Sequence, residues 1–279
     1  MAFDGITVSA LVAEIDDNLK GGRINKIAQP ENDELLITGK GANGQKRLLL
    51  SASASLPLIY FTDKNTVYVN LYISNEAQID LNEGTTKIQI ESDLTNTGHI
   101  VLKVTPDEGS TNNLAIRIPD YVKAYTIRKD GALLEHQDIC QTYLTIGGIS
   151  KQTEIVIDFE VPARFVRANP NVREDVGKTA LVKGPLVYCL EETDNGENLP
   201  AIFVDTKQEV REMFEPELLG GVTTLRFKGK KLNVDTWKDG ALYDSREMAF
   251  EEVDLKAVPY HCWDNRKTGE MLVWMKEMF

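Results

Sequence analysis

The rhythm of apolar and polar positions changes once along this chain, near residue 65. Before that point, Val8, Leu11, Val12, Ile15 and Leu19 recur at spacings of three and four, which places them on one face of a helix. Thr7 is positioned to cap its start and Gly21-Gly22 to stop it. Strand-like runs follow at Arg23–Ala28, Glu34–Thr38, Arg47–Leu50 and Leu58–Phe61, with turn chemistry at Pro30-Glu31-Asn32-Asp33 and Gly41-Ala42-Asn43-Gly44. Residues 1–64 are therefore expected to form a small α+β fragment, one helix and an antiparallel meander.

From Thr66 the period is two. In TVYVNLYI, Val67, Val69, Leu71 and Ile73 alternate with Tyr68, Asn70 and Tyr72, giving one apolar face. The alternation recurs at Lys87–Glu91, His99–Val104, Leu114–Ile118, Tyr121–Ile127 and Glu154–Phe159, with turns such as Asn82-Glu83-Gly84, Pro106-Asp107-Glu108-Gly109 and Lys129-Asp130-Gly131. Short strands of this kind predict an antiparallel β-sandwich over residues 65–160. A second β-sandwich unit is expected over 161–279. It holds the runs Thr179–Val182 and Leu186–Leu190, broken by Gly184-Pro185, with Cys189 buried in the second and an acidic loop at Glu191–Asn198. Further strands are predicted at Ala201–Val204, Thr223–Phe227, Leu255–Tyr260 and Met271–Met275. Glu209–Leu219 reads either as a short helix or as a loop around Pro216. The fold class is mainly β.

Charge narrows the function classes. The formal net charge is −12, with 31 Lys+Arg against 43 Asp+Glu, which counts against a nucleic-acid partner and is compatible with a neutral ligand such as a sugar. No apolar run approaches the roughly 20 residues that span a bilayer, so no membrane partner is expected. Asp4 and Glu14 stand where a secretion signal would be basic. Cys140, Cys189 and Cys262 are odd in number and widely spaced, neither a disulfide framework nor a zinc-binding spacing. These features predict a reduced, cytoplasmic chain.

The opening residues MAFDGITVSALVAEI, GGRINKIAQPENDELLI and LLLSASAS closely resemble the start of the NFACT family, fibronectin-binding protein A-like proteins associated with ribosome quality control. That resemblance implies ribosome or tRNA association, but residues 1–64 carry 7 basic against 8 acidic side chains and offer no electrostatic footprint for RNA. From about Thr66 to Phe279, the pieces NTVYVNLYISNEAQI, LAIRIPDY, VRANPNVREDVGKTALVKGPLVYCLEETDNGENL, ELLGGV and AVPYHCWDNRKTGEMLVWM resemble, in order, the C-terminal β-sandwich part of glycoside hydrolase family 127. Characterised members of that family are β-L-arabinofuranosidases. The resemblance implies carbohydrate metabolism, an (α/α)6 catalytic barrel upstream of the sandwiches, a cysteine nucleophile and a zinc ion. The upstream stretch here, LLLSASASLPLIYFTDKN, has neither Cys nor His, so the barrel is expected to be absent and no catalytic or zinc-binding residue is carried over. The expectation is a fused or truncated chain, joined near residues 62–66, that is not a hydrolase alone and has no cofactor of its own. Its expected partners are carbohydrate, a separately encoded catalytic barrel, or a second copy of itself through the sandwich face left exposed.

Several side chains could still build a site. A glycosidase needs two carboxyl groups roughly 5–9.5 Å apart. The doublets Glu191-Glu192 and Glu251-Glu252 are the obvious candidates, but neighbours on a strand point to opposite faces, and both doublets read as solvated surface. Cys140, Cys189, Cys262 and His261 are metal-ligand types, yet Cys189 reads as a small buried hydrophobe. Tyr260, Trp263, Trp274 and Trp237 read either as a sugar-stacking platform, or as sandwich core or a face that packed against the absent barrel, and the structural reading is preferred. Arg164, Arg167 and Arg173, with Asn169 and Asn171, read as an anchor for a ligand or neighbouring domain, or as a structural connection, with the latter preferred. Tyr260, Trp263 and Arg167 are the candidate contacts with carbohydrate or another domain.

Overall fold

The structure, a computed structural model, describes residues 12–278 apart from 14, 18, 30–33, 42–43, 52–57, 63–64, 82–83, 135–138, 141, 235–241, 244 and 246. The chain forms two compact units that divide between Val161 and Pro162. In the first unit, helix α1 is described within residues 12–19. It stops where predicted: Gly21 adopts φ +68°, and the Gly22 N–H donates to the Leu19 carbonyl at 2.9 Å. The predicted cap Thr7 and the face residues Val8 and Leu11 lie outside the described residues. Strands β1 (Arg23–Ala28), β2 (Glu34–Gly41), β3 (Gly44–Ser51) and β4 (Leu58–Thr62) then pair in sequence as the expected antiparallel meander.

The strands that follow are β5 (Thr66–Val69), β6 (Asn75–Leu81), β7 (Gly84–Asp93), β8 (His99–Pro106), β9 (Asn112–Arg117), β10 (Ala124–Lys129), β11 (Ala132–Leu133), β12 (Ile139–Cys140), β13 (Tyr143–Ile149) and β14 (Thr153–Glu160). They make two sheets, ordered β11-β10-β14-β8-β7-β6 and β12-β13-β9-β5. The period-two pattern explains their packing. On β14, Ile155, Ile157 and Phe159 are buried while Glu154 and Glu160 face solvent, and register sets Ile157 beside Ile100 and Ile155 beside Leu102. Val67, Leu114, Ile116, Leu144 and Ile146 from the other sheet complete one core. Each such side chain contributes roughly 1.5–3 kcal/mol through burial.

The run TVYVNLYI departs from the predicted alternation. The strand ends at Val69, Tyr72 is buried, and Ile73 is exposed. Polar satisfaction explains the change of phase. Asn70 accepts a hydrogen bond from the Tyr143 hydroxyl at 2.6 Å, the Tyr72 hydroxyl donates to the Arg117 carbonyl, and the Tyr72 ring packs edge-on against Phe159 at 5.3 Å.

The turn from β7 to β8 is tied by Asp93, whose carbonyl accepts the N–H groups of Asn96, Thr97 and Gly98. Its carboxylate accepts from the Thr97 hydroxyl at 2.7 Å and the Asn96 amide at 2.9 Å. Gly98 ends the turn at φ +79°, with its carbonyl accepting the Phe159 N–H at 3.0 Å.

The second unit contains β15 (Ala163–Val166), β16 (Lys178–Lys183), β17 (Leu186–Glu191), helix α2 (Glu192–Asn195), β18 (Ile202–Val204), β19 (Arg211–Glu215), β20 (Val222–Leu232), β21 (Phe250–Pro259), β22 (Met271–Leu272) and β23 (Met275–Glu277). Of the segment predicted as a helix or a loop around Pro216, Arg211–Glu215 is strand β19, paired with β20 from Arg211↔Arg226 to Glu215↔Val222, while residues 216–219 form the expected turn. The unit is a single nine-stranded sheet whose pairings return on themselves: β16-β17-β21-β20-β18-β23 and back to β16. Closure of this kind leaves only the branching strands β15, β19 and β22 as edges, each paired on one side. Leu181, Tyr188, Leu190, Ile202, Val204 and Leu225 are among the residues that fill its core.

Candidate functional site

Glu191, the last residue of β17, is the natural starting point. It was expected on the solvated surface, but it is 3% exposed. Sequence pattern hid this, because β17 is buried without alternation from Tyr188 through Glu191 and so offers no polar face to contrast with an apolar one. The compensating charge is Arg266, on the segment after β21, whose guanidinium bonds the Glu191 carboxylate and also Asp194 at 2.7 Å. Glu192 points elsewhere and accepts the Glu270 N–H at 2.8 Å. The second doublet, Glu251-Glu252, is exposed on β21 as predicted.

From Arg266 the charges alternate outward. The Asp194 carboxylate lies 3.6 Å from Lys256, Lys256 lies 3.2 Å from Glu215, and Glu215 lies 2.9 Å from Arg226. Burial by itself would raise the Glu215 pKa, but hydrogen bonds from Thr224, Arg226 and Lys256 outweigh it and lower the pKa to about 2. Because the folded value lies below the unfolded 4.5, the contribution to stability is complete above that pH and is lost as pH falls from 4.5 towards 2. Urea unfolding between pH 2 and 6 should therefore lose a component on the order of 2 kcal/mol in Glu215→Gln. Equal pH slopes in the two proteins would refute this.

The same ion pair shapes the turn between β21 and β22. Tyr260–Cys262 form a single 3-10 turn, and the Trp263 N–H donates to the Tyr260 carbonyl at 3.1 Å. Asp264 takes a left-handed φ of +61° and directs its N–H at Glu191, 3.4 Å away. The Asn265 side-chain amide donates to the carbonyls of Cys262 and Trp263, both at 3.1 Å. So fixed, the turn presents Tyr260 and Trp263 to solvent, 45% and 40% exposed, with ring planes 16° apart and centroids separated by 6.1 Å. Their exposure removes the sandwich-core reading for these two residues and leaves a contact with sugar or with a neighbouring domain. A turn residue need not follow the burial phase of the strand it leaves, and the 3-10 geometry rotates both rings outward. Trp274 is half-buried and Trp237 lies outside the described residues.

Arg167 is placed differently. Its guanidinium grips Glu277 of β23, with Nε to Oε2 at 2.6 Å, and reaches the Thr206 hydroxyl at 3.0 Å. Glu277 is buried, so the contact links the end of β15 to β23 and leaves the guanidinium engaged. Asn169 accepts the Asn171 N–H at 2.9 Å, closing the turn around Pro170.

Among the described residues, Cys189 and Cys262 belong to no metal-binding cluster. Cys189 is buried opposite Val258, and burial, reinforced by the Glu191 charge, pushes its thiol up to about 12. Burial raises Cys262 in the same direction. The side chain of Cys140 lies outside the described residues. No group of three or more Cys, His, Asp or Glu suited to a metal exists among the described residues. Arg266, Asp194 and Lys256 were missed in the sequence, because nothing in it pairs an arginine with carboxylates more than seventy residues away.

Residues 66–162 match the family described as β-L-arabinofuranosidase, GH127 middle domain, and residues 163–276 match the glycoside hydrolase family 127 C-terminal domain. Residues 4–70 match the NFACT N-terminal and middle domains. A non-reducing end β-L-arabinofuranosidase of Bifidobacterium longum subsp. longum is 31% identical over 239 residues, covering 80% of this chain and 35% of that protein. The crystal structure of a GH127 β-L-arabinofuranosidase from Geobacillus stearothermophilus T6 superposes with a TM-score of 0.70 at 32% identity, covering 78% of this chain and 34% of that one. A second GH127 β-arabinofuranosidase gives a TM-score of 0.66 at 28% identity, covering 78% and 36%. An Rqc2 homolog RqcH of Streptococcus suis is 35% identical over 65 residues, 23% of this chain and 12% of that protein. The chain thus spans about a third of the length of the arabinofuranosidases it matches. Over residues 66–276 it carries the middle and C-terminal domains of glycoside hydrolase family 127, preceded by an NFACT-type segment over residues 4–70.

Proposed function

We propose that this chain serves carbohydrate metabolism as the non-catalytic β part of a family 127-like glycosidase and does not hydrolyse arabinofuranosides by itself. The observation that carries this reading is that Cys189 and Glu191 are both buried and engaged in structure. The Cys189 thiol is buried with its pKa pushed up to about 12, and Glu191 is held by Arg266. A nucleophilic thiol needs the opposite, a lowered pKa beside a cation in an accessible pocket. A separately encoded catalytic barrel is the partner that would complete such an enzyme. Unpaired Cys189 and Cys262 suit a reducing, cytoplasmic setting. No helix among the described residues is long and apolar enough to cross a membrane.

The test is an assay of the purified chain on aryl β-L-arabinofuranosides, with zinc and reductant supplied. The expected rate equals that of the buffer. Turnover that disappears in Cys189→Ala or Cys262→Ala, with folding intact, would overturn the proposal.

A further inference from the structure

The geometry points to a non-catalytic stacking platform, formed by Tyr260 and Trp263, for an arabinofuranose-containing oligosaccharide. This rests on the reading that the chain handles carbohydrate without cleaving it. Two large aromatic rings side by side at 45% and 40% exposure are costly to leave in water. Rings nearly parallel at a centroid separation of 6.1 Å are slid past one another rather than eclipsed, so part of each face is left uncovered. The C–H face of a sugar ring is apolar and slightly positive, the complement of an aromatic face, while its hydroxyls seek polar neighbours. The turn supplies them: His261, Asp264, Asn265 and Lys267 are all exposed.

That rim also chooses between occupants. A protein partner buries hot-spot aromatics inside a wider apolar surround. Along the turn the two exposed rings are interspersed in sequence with exposed polar side chains, which suits a small amphipathic ligand. The platform is also preorganised. The Asn265 amide, the left-handed Asp264 and the Glu191–Arg266 pair fix the turn, so a ligand need not order it on binding.

The probe is a set of β-L-arabinofuranosyl oligosaccharides, titrated by calorimetry against the full chain, with xylo-oligosaccharides as the comparison. Saturable binding of the arabinosyl set is expected. Trp263→Ala and Tyr260→Ala should each weaken it at least tenfold, and Tyr260→Phe, which keeps the ring, should weaken it less than threefold. Circular dichroism confirms folding, and Tyr260→Ala decides alone should Trp263→Ala not fold. The platform is overturned by no saturable binding to the unsubstituted chain, or by binding that both alanine variants retain. It is also overturned if Trp263→Ala changes the sedimentation coefficient of the chain while glycan binding persists, which would assign the rings to a protein contact. Hydrolysis of the probe would sink the functional reading and leave the platform standing; absence of binding would do the reverse.

Discussion

Arg266→Ala is expected to lower the unfolding free energy of the second unit by about 3–5 kcal/mol, the range found when one partner of a buried ion pair is removed. The side chain of Glu191 is 4% exposed and that of Arg266 17%, so water cannot replace the lost guanidinium without opening the turn. Deletion strands two carboxylates, because Arg266 also holds Asp194. It also frees the segment that carries Tyr260 and Trp263, so the near-ultraviolet circular dichroism should weaken before global unfolding begins. A double variant, Glu191→Gln with Arg266→Met, removes the stranded charge together with its partner and should recover a large share of the loss. Urea unfolding of the four proteins measures this. A cost below 1 kcal/mol for Arg266→Ala would show that the pair is effectively solvated.

Gly98→Ala is the second large effect. At φ +79° any residue with a Cβ is strained, by roughly 1–2 kcal/mol. Space is the larger obstacle. A Cβ built on Gly98 falls 2.0 Å from the Phe159 carbonyl oxygen, and backbone cannot swing aside as a side-chain tip can. Relief requires breaking the hydrogen bond from the Phe159 N–H to the Gly98 carbonyl, and with it the packing of Phe159 on Tyr72. Overpacking adds about 1–3 kcal/mol, so the total is expected at about 2–5 kcal/mol. Gly109→Ala is the control: its φ is +84°, but nothing lies within 4 Å of the added carbon. Thermal unfolding should place Gly98→Ala well below Gly109→Ala. Equal midpoints would mean that the turn moves freely and that the contact has no weight.

What could be read in the sequence follows from what is local. The bounds of β1 and the stop of α1 at Gly21 were legible because turn residues and periodicity act over a few positions. The alternation on β8 and β14 was legible because one face meets the core and the other meets water. The pattern misled at Asn70–Ile73, where a hydrogen bond from Tyr143 takes precedence over the hydrophobic phase. It was silent on β19, whose Arg211, Glu212, Met213 and Phe214 are all exposed, because an exposed strand held by backbone pairing has no alternation to detect. For the site, the sequence singled out the aromatic residues and the buried Cys189. It could not tell that Glu191 is buried or that Arg266 answers it, since a long-range ion pair has no local period. The structural role preferred for Arg167 fits its bond to Glu277, but the partner itself, 110 positions away, has no local signal in the sequence.

The closed ring of the second unit has a consequence for the order of events in synthesis. Its seam joins β16, near the start of the unit, to β23, and β23 also supplies the parallel neighbour of β18. Until residues 275–277 have left the ribosome, β18 has only β20 to pair with, and Lys178 and Thr179 at the start of β16 lack the partner that β23 supplies. Closing a loop of this span carries a high entropic cost before the contacts that reward it can form. The second unit is therefore expected to close late, only once β23 has emerged, while the sheets of β5–β14 can fold as soon as β14 emerges. For a growing chain, the last strand acts as a timer.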